Sequence, residues 1–413
     1  MRDATPEVQV RVAQAARTSF ARLVSLLAVS SGGDIMAAED AVADALHEAL
    51  RRWPASGIPD NPDGWLLTVA RNRDRDRLKS AAHRRAAPLD PAVERRGITD
   101  DIDLERIPDH RLRLLFVCAH PSIDPGIRTP LMLQTVLGQD AKDVARAYAV
   151  SPATMAQRLV RAKRKIRDAA IPFVIPGTTE IPDRLDAVLE AIYGVYALDW
   201  DTEAERDAVD DLTLEAVHLA RELTTLLPQH PEVFGLAALM TLSLSRKDAR
   251  RSAEGEFVPL DLQDPSRWDH GLIAEGDALL RHAHGLRAIG RFQLEAAIQS
   301  VHCARARTGA TDWRALTLLH SAIISLWPTI GAMVSFAAVT GRAEGPVAGL
   351  TLLDRIPVEE VETFQPAWAT RAQLLAAAGR TDEARTAYGR AIELAEQPAV
   401  RRYLRRSSAA LDD

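Results

Sequence analysis

Residues 140 to 168 read DAKDVARAYAVSPATMAQRLVRAKRKIRD, and they divide into a short and a longer helical run around a break at Ala149-Val150. Ser151 offers a hydroxyl to cap the second run, and Pro152 falls at its first helical position, where a missing N–H has no intrahelical partner to lose. Met155, Leu159, Ala162 and Ile166 recur every three or four residues, so they share one face and point to a core. Ala153, Ala156, Gln157, Val160, Arg161 and Arg164 are left on the opposite face. The pattern is a helix-turn-helix, and it sets the expectation of an all-α fold.

Eight basic residues stand against two acidic ones between 141 and 170, which makes the second helix a cationic rod. A helix so built can enter a DNA major groove, with Gln157 and Arg161 offering donors to base edges and Ala156 and Val160 meeting thymine methyls. Arg158 and Lys163 are assigned to phosphates, which position the helix without reading sequence. A solvated basic helix, or a helical hairpin that never touches DNA, is the other reading of the same residues.

Upstream, Phe20, Leu23, Val24 and Leu27 mark one helical face and Val42, Leu46, Leu50 and Trp53 another, so two helices are expected over residues 7 to 53. Three prolines between Pro54 and Gly64 predict a turn-rich loop, after which Trp65 to Lys79 resumes helical spacing. A second basic block, Arg71, Arg73, Arg75, Arg77, Lys79, Arg84 and Arg85, interleaves with Asp74 and Asp76, so local ion pairing competes with nucleic-acid contact as its explanation. Residues 86 to 110 carry seven acidic residues against three arginines, the composition of a solvated tether. Prolines and a glycine between Ile171 and Pro182 predict another boundary. Beyond Asp183, Ala- and Leu-rich stretches separated by short turns predict helices to the end. There Ala372, Leu375, Gly379, Ala384, Tyr388 and Ala391 reproduce the small and large positions of a tetratricopeptide helix pair.

Composition excludes several classes. A chain of 413 residues with 47% hydrophobic and 26% charged residues is neither disordered nor filamentous. Its two cysteines, Cys118 and Cys303, cannot build a disulfide framework or a thiolate zinc site, which fits a reducing, cytoplasmic compartment. No stretch has the length of a signal peptide core or membrane span, so a soluble chain with no membrane partner is expected. The net charge of −6 argues weakly against nucleic acid, but the local basic blocks outweigh an average. No His-Glu-x-x-His, nucleophile elbow or phosphate-binding glycine loop is present, and His282-Ala-His284 lacks further ligands at useful spacing, so neither catalysis, nor a metal, nor a cofactor is expected.

Three segments together, Glu39-Asp40-Ala-Val-Ala-Asp44-Ala-Leu-His-Glu48-Ala-Leu-Arg-Arg-Trp53, Pro59-Asp-Asn-Pro62-Asp-Gly-Trp65-Leu-Leu-Thr-Val-Ala-Arg71-Asn72-Arg and Ser151-Pro-Ala-Thr-Met-Ala-Gln157-Arg-Leu-Val-Arg161-Ala-Lys-Arg, resemble an extracytoplasmic-function (group IV) RNA polymerase sigma factor. More narrowly, the chain resembles the subgroup with a tetratricopeptide-type extension, as do Gly255 to Asp269, Thr311-Asp312-Trp313 and Gly345-Pro346. The resemblance implies sigma region 2 over residues 1–86, an acidic linker over 87–107, region 4 over 108–172 and a C-terminal helical domain over 183–413. It implies that Asp40, Asp44 and Glu48 offer carboxylates, and Leu46 an apolar anchor, to the β′ clamp helices of core RNA polymerase, with the β flap as a further contact. It places Arg71, Asn72, Arg75 and Lys79 at the promoter minus-10 element, and Ala156, Gln157, Arg158, Val160, Arg161 and Lys163 at the minus-35 element. The loop from Ala55 to Asp63 would receive a flipped base.

Two departures stand out: Ala43 replaces a glutamine common in relatives, and Gly194-Val-Tyr-Ala-Leu-Asp199-Trp200 stands where the subgroup has an Asn-Glu-Gly segment. Trp65, Trp268 and Trp313 are read as packing residues. The expected function is promoter-directed transcription initiation, modulated by the helical domain, whose groove would hold a protein or peptide partner. The alternative is a tetratricopeptide-type adaptor whose sigma-like module does not bind polymerase.

Overall fold

Apolar residues at three- and four-residue spacing fold as helices throughout the computed structural model; among the described residues no strand forms, and one antiparallel bridge joins Arg251 to Phe257. The structure describes residues 6–31, 33–85, 107–148, 150–177, 179–202, 209–253 and 255–411, with backbone alone at 17–18, 30, 78–85, 107–109, 196–202 and 209–212. No described helix is long and apolar enough to cross a membrane. The chain forms two compact units that divide after Glu222.

The first unit opens with three helices where two were expected: α1 (Pro6–Thr18), α2 (Phe20–Ser30) and α3 (Ile35–Ser56). Asp34 caps α3, its carboxylate accepting from the Ala37 N–H at 3.1 Å. This helix continues through Pro54 to Ser56, because a proline in the last turn forfeits only one backbone bond. It stops at Gly57, whose φ of 81° suits a residue without a Cβ. Asn61 then accepts from the Gly64 N–H at 2.9 Å and starts α4 (Pro62–Arg85). Leu23, Leu27, Val42, Ala45, Trp53, Leu66 and Ala70 are buried together with Leu114, Phe116 and Leu131 of the helices that follow.

Those are α5 (Ile107–Cys118), α6 (Pro125–Thr135), α7 (Ala141–Ala147) and α8 (Pro152–Asp168). The expected acidic linker lies outside the described residues apart from Ile107, which opens α5. The proline-rich stretch after α8 is non-helical as expected, yet the compact unit does not end there. It takes in α9 (Pro182–Thr202) and most of α10 (Val209–Leu226).

The second unit stacks α11 (Pro231–Leu244), α12 (His270–Gly285), α13 (Arg291–Cys303), α14 (Trp313–Leu326), α15 (Ile330–Glu344), α16 (Pro346–Leu353), α17 (Gln365–Ala377), α18 (Thr381–Leu394) and α19 (Pro398–Ala409). Ala372, Leu375, Ala384, Tyr388 and Ala391 are all buried in the α17–α18 hairpin, whose turn passes through Gly379 at φ 74°. Between α11 and α12 the backbone is irregular and arginines hold it. Arg305 donates to the carbonyls of Asp261, Leu260 and Gln263 at 2.8, 2.9 and 2.7 Å, and Arg402 and Arg406 reach Glu256 at 2.9 and 3.0 Å. Trp268 is buried beneath the Arg305 guanidinium, and Trp313 packs against Arg342 and His302, so both serve packing as expected.

Candidate nucleic-acid interface

The helix-turn-helix forms as its residues dictate. Asp140 caps α7 by accepting from the Lys142 N–H at 3.0 Å, and Ser151 caps α8 by accepting from the Thr154 N–H at 3.2 Å. Across the turn, which includes the undescribed Ala149, the Val150 N–H returns to the Ala145 carbonyl at 3.0 Å. Met155, Leu159, Ala162 and Ile166 are buried. Ala156, Gln157, Arg158, Arg161 and Arg164 are exposed and Val160 is half-buried, so the outer face offers amide and guanidinium donors to solvent. Arg161 turns its Nε back to the Gln157 backbone carbonyl at 3.4 Å, one turn earlier on the same helix. Lys165 and Arg167 in the last turn complement the negative end of the helix dipole.

Lys163 departs from this arrangement. Expected on a phosphate, it is 5% exposed and ion-paired with Glu39 of α3. The helical period explains the difference: four residues after Leu159 and three before Ile166, Lys163 lies on the apolar face. The same correction applies to Glu48, expected to offer its carboxylate to a partner. Spaced seven residues from buried Ala41 and three from buried Ala45, it is itself buried, accepting from Arg52 at 2.5 Å and pairing with Arg51 at 3.3 Å and Arg73 at 3.7 Å. The Arg52 hydrogen bond holds its pKa below the ordinary carboxylate value. Asp40 and Asp44 are exposed on α3, and Leu46 is half-buried.

On α4 the basic block splits. Arg77 pairs with Asp74 at 3.1 Å, and buried Asp74 also accepts from the Ser31 hydroxyl at 2.7 Å, so these charges are structural. Asn72 and Arg75 are exposed, and Arg71 is half-buried, its pKa drawn down first by burial and then by Arg75. Lys79 continues the four-residue spacing on the α4 backbone, and its side chain lies outside those described. The loop proposed for a flipped base narrows to residues 57–61, since Ala55 and Ser56 belong to α3 and Asp63 to α4, where Asp63 accepts from Ser19 at 3.0 Å and from Arg22. Trp65 packs edge-on against Trp53 at 5.5 Å.

Two contacts that no motif announced hold these elements in one body. Arg111 of α5, 3% exposed, donates to Glu215 of α10 and to the Val136 carbonyl at 3.3 Å. Arg184 of α9, also buried, donates to the Phe116 carbonyl at 3.4 Å and to Glu180 at 2.9 Å. A Cβ built on Gly194 of α9 would lie 3.3 Å from Leu133, so α9 also approaches α6 closely. The signal in the sequence was Arg111 in register with Leu115 and Cys118, a charge on an otherwise apolar stripe. Cys118 is buried, which pushes its thiol up to about 12 and leaves it inert.

The chain is 35% identical over 374 residues to Uncharacterized protein R00370 of Rhizobium meliloti (strain 1021), covering 89% of this chain and 88% of that protein. It belongs to the family of that relative. Residues 184–284 match a family of unknown function, DUF6596. Part of the chain is related to an extracytoplasmic-function sigma factor: it is 32% identical over 164 residues to the Probable ECF RNA polymerase sigma factor SigI of Mycobacterium tuberculosis, in each of two strains. That match covers 39% of this chain and 56% of the relative. No solved structure matches the chain.

Proposed function

We propose that this protein is a sigma factor that recruits core RNA polymerase to specific promoters, with α8 reading the minus-35 element and α4 contacting the minus-10 element. One observation carries the reading: α8 follows a capped tight turn, buries an apolar stripe and leaves Gln157, Arg158, Arg161 and Arg164 exposed on the other side. The partial likeness to a sigma factor and the exposed Asn72 and Arg75 support it. Asp40 and Asp44 are the carboxylates available to polymerase, with Leu46 as the apolar neighbour, whereas Glu48 shapes the α3–α4 packing. The protein acts by binding and performs no catalysis of its own. Its second unit is the regulatory part, holding a protein or peptide partner in a tetratricopeptide-like groove.

Reconstituted transcription tests this. Core polymerase with the purified protein, on a library of promoter fragments, yields specific transcripts that weaken with Arg161→Ala and with Asp40→Ala. A folded protein that neither binds core polymerase nor starts transcripts overturns the reading in favour of an adaptor.

A further inference from the structure

Positive charge gathers where α13 ends. Gln299, His302 and Arg305 follow one another at three-residue steps, so they share one side of the chain as it leaves the helix. Buried Arg246 donates to the Gln299 side-chain oxygen. The His302 ring meets Trp313 of α14 edge-on, with 6.4 Å between centroids, and the Arg342 guanidinium stands 5.6 Å from the same indole. Arg305 in turn lies 4.9 Å over the ring of Trp268. His320, two turns along α14 from Trp313, is 9% exposed and lies on the side that carries Leu316 and Ile323. The group therefore runs from buried Arg246, Trp268 and His320, through half-buried His302, Arg305 and Trp313, to exposed Arg342 at the surface.

Its hydrogen bonds and charges are out of balance. Arg305 Nε, Trp268 Nε1 and His320 Nδ1 are buried without a hydrogen-bond partner, as is the amide oxygen of Gln263. Asp261, Asp277 and Asp312 do not redress this, because each already has a donor: Asp261 holds Arg342, Asp277 accepts from the Ser300 hydroxyl at 2.6 Å, and Asp312 accepts from the Ala315 N–H at 2.9 Å. Burial, reinforced by Arg246, His320 and Arg305, pushes the pKa of His302 down to about 3, so its ring stands neutral among guanidinium groups. What the cluster lacks is an acceptor that carries negative charge.

We propose that this cluster binds a phosphate dianion, free or carried on a small molecule. A phosphate brings acceptor oxygens and nearly twice the charge of a carboxylate. The His302 and His320 imidazoles and the Arg305 Nε–H supply its donors, Arg246 and Arg342 supply further positive charge, and Trp313 is an apolar wall for whatever the phosphate carries. The bound charge reverses the balance at His302, which takes up a proton from solvent at neutral pH. All of these residues lie in the second unit, so the proposal stands apart from the sigma reading.

Calorimetry on the full-length protein at neutral pH, in two buffers of different ionisation enthalpy, takes inorganic phosphate and phenyl phosphate as separate probes. Wild type gives saturable binding with proton uptake, and the His302 ring resonance in NMR spectra moves to its protonated position. Tighter binding of phenyl phosphate assigns the site to a phosphorylated small molecule; equal or weaker binding of it assigns the site to free phosphate. His302→Gln keeps a donor without a titratable ring, and it loses the proton uptake and weakens binding by about tenfold or more. No saturable binding of either probe by wild type at millimolar concentration overturns the proposal, as does binding that leaves the His302 resonance unmoved. Binding as tight as wild type by His302→Gln, with an unchanged urea midpoint to show that it is folded, overturns it as well.

Discussion

Glu215→Gln removes one charge, keeps the side chain's shape and leaves a hydrogen-bonding oxygen facing Arg111. The Arg111 side chain is 4% exposed, whereas Glu215 is 23% exposed, so the arginine depends on this carboxylate far more than the carboxylate depends on it. Burial works against the Arg111 charge, and Glu215 opposes that effect. Its Nε is buried without a hydrogen-bond partner, so the substitution leaves the remaining guanidinium donors more exposed to loss.

Breaking one side of a buried ion pair costs about 3–5 kcal/mol, and the partial hydration of Glu215 places this pair at the lower end, about 3 kcal/mol. For a body of about 200 residues that lowers the first unit's melting temperature by roughly 6–12 °C. Differential scanning calorimetry measures the shift, and hydrogen exchange at Leu114 to Cys118 of α5 gives a local readout, with protection falling by about two orders of magnitude. Replacing both partners with apolar residues, Arg111→Met with Glu215→Leu, recovers most of the loss because no charge is then left buried. A Glu215→Gln protein that melts within about 1 °C of wild type with unchanged exchange in α5 refutes the claim that Glu215 neutralises Arg111.

Three further outcomes are expected. Arg161→Ala weakens binding to the preferred promoter duplex by about 1–3 kcal/mol and relaxes discrimination, whereas Arg158→Ala weakens all duplexes alike and reduces the salt slope by about 1; fluorescence anisotropy across salt concentrations separates the two. Burial lowers the pKa of His302 to about 3 and of His320 to about 4, so both are neutral when folded at neutral pH. The unfolded chain takes up these protons below about 6.5, so stability is full above that pH and falls by about 2 kcal/mol per histidine on going to pH 5, as urea unfolding of wild type against His320→Gln would register. Gly349→Ala drives a Cβ to within 2.6 Å of the Ala337 carbonyl where α15 and α16 cross and destabilises by about 2 kcal/mol, whereas exposed Gly389, with nothing within 4 Å, gains up to about 1 kcal/mol on the same change, both read by thermal melts.

Periodicity carried the fold class because 3.6-residue spacing is written locally. The capped turn before Pro152 and the buried series Met155, Leu159, Ala162 and Ile166 were legible for that reason. Lys163 and Glu48 were misplaced because residue type was weighed above register. Both lie within the helical arc of their apolar neighbours, and the arc decides burial once a counter-charge exists on another element. For Lys163 that counter-charge is Glu39, 124 residues away, and for Glu48 it is Arg73 of α4 beside Arg51 and Arg52 of its own helix; buried Arg111 likewise depends on Glu215, 104 residues away. No local pattern encodes such a partner. The compact division after Glu222 was hidden for a related reason: prolines mark where a helix stops, whereas a unit ends where packing stops, and Arg111 and Leu133 hold α9 and α10 beyond the proline-rich stretch.

The arginine-held backbone between α11 and α12 bears on how the second unit is inherited. The match to a family of unknown function ends at residue 284, but the guanidinium groups that occupy the carbonyls of Leu260, Asp261 and Gln263, and those that hold Glu256, come from Arg305, Arg402 and Arg406. A graft of the matched segment into another protein would hand three carbonyls to water and leave a carboxylate without its pair of cations. The smallest portable piece of this fold is therefore discontinuous: the irregular stretch together with arginines up to 150 positions downstream, which must be exchanged as a set.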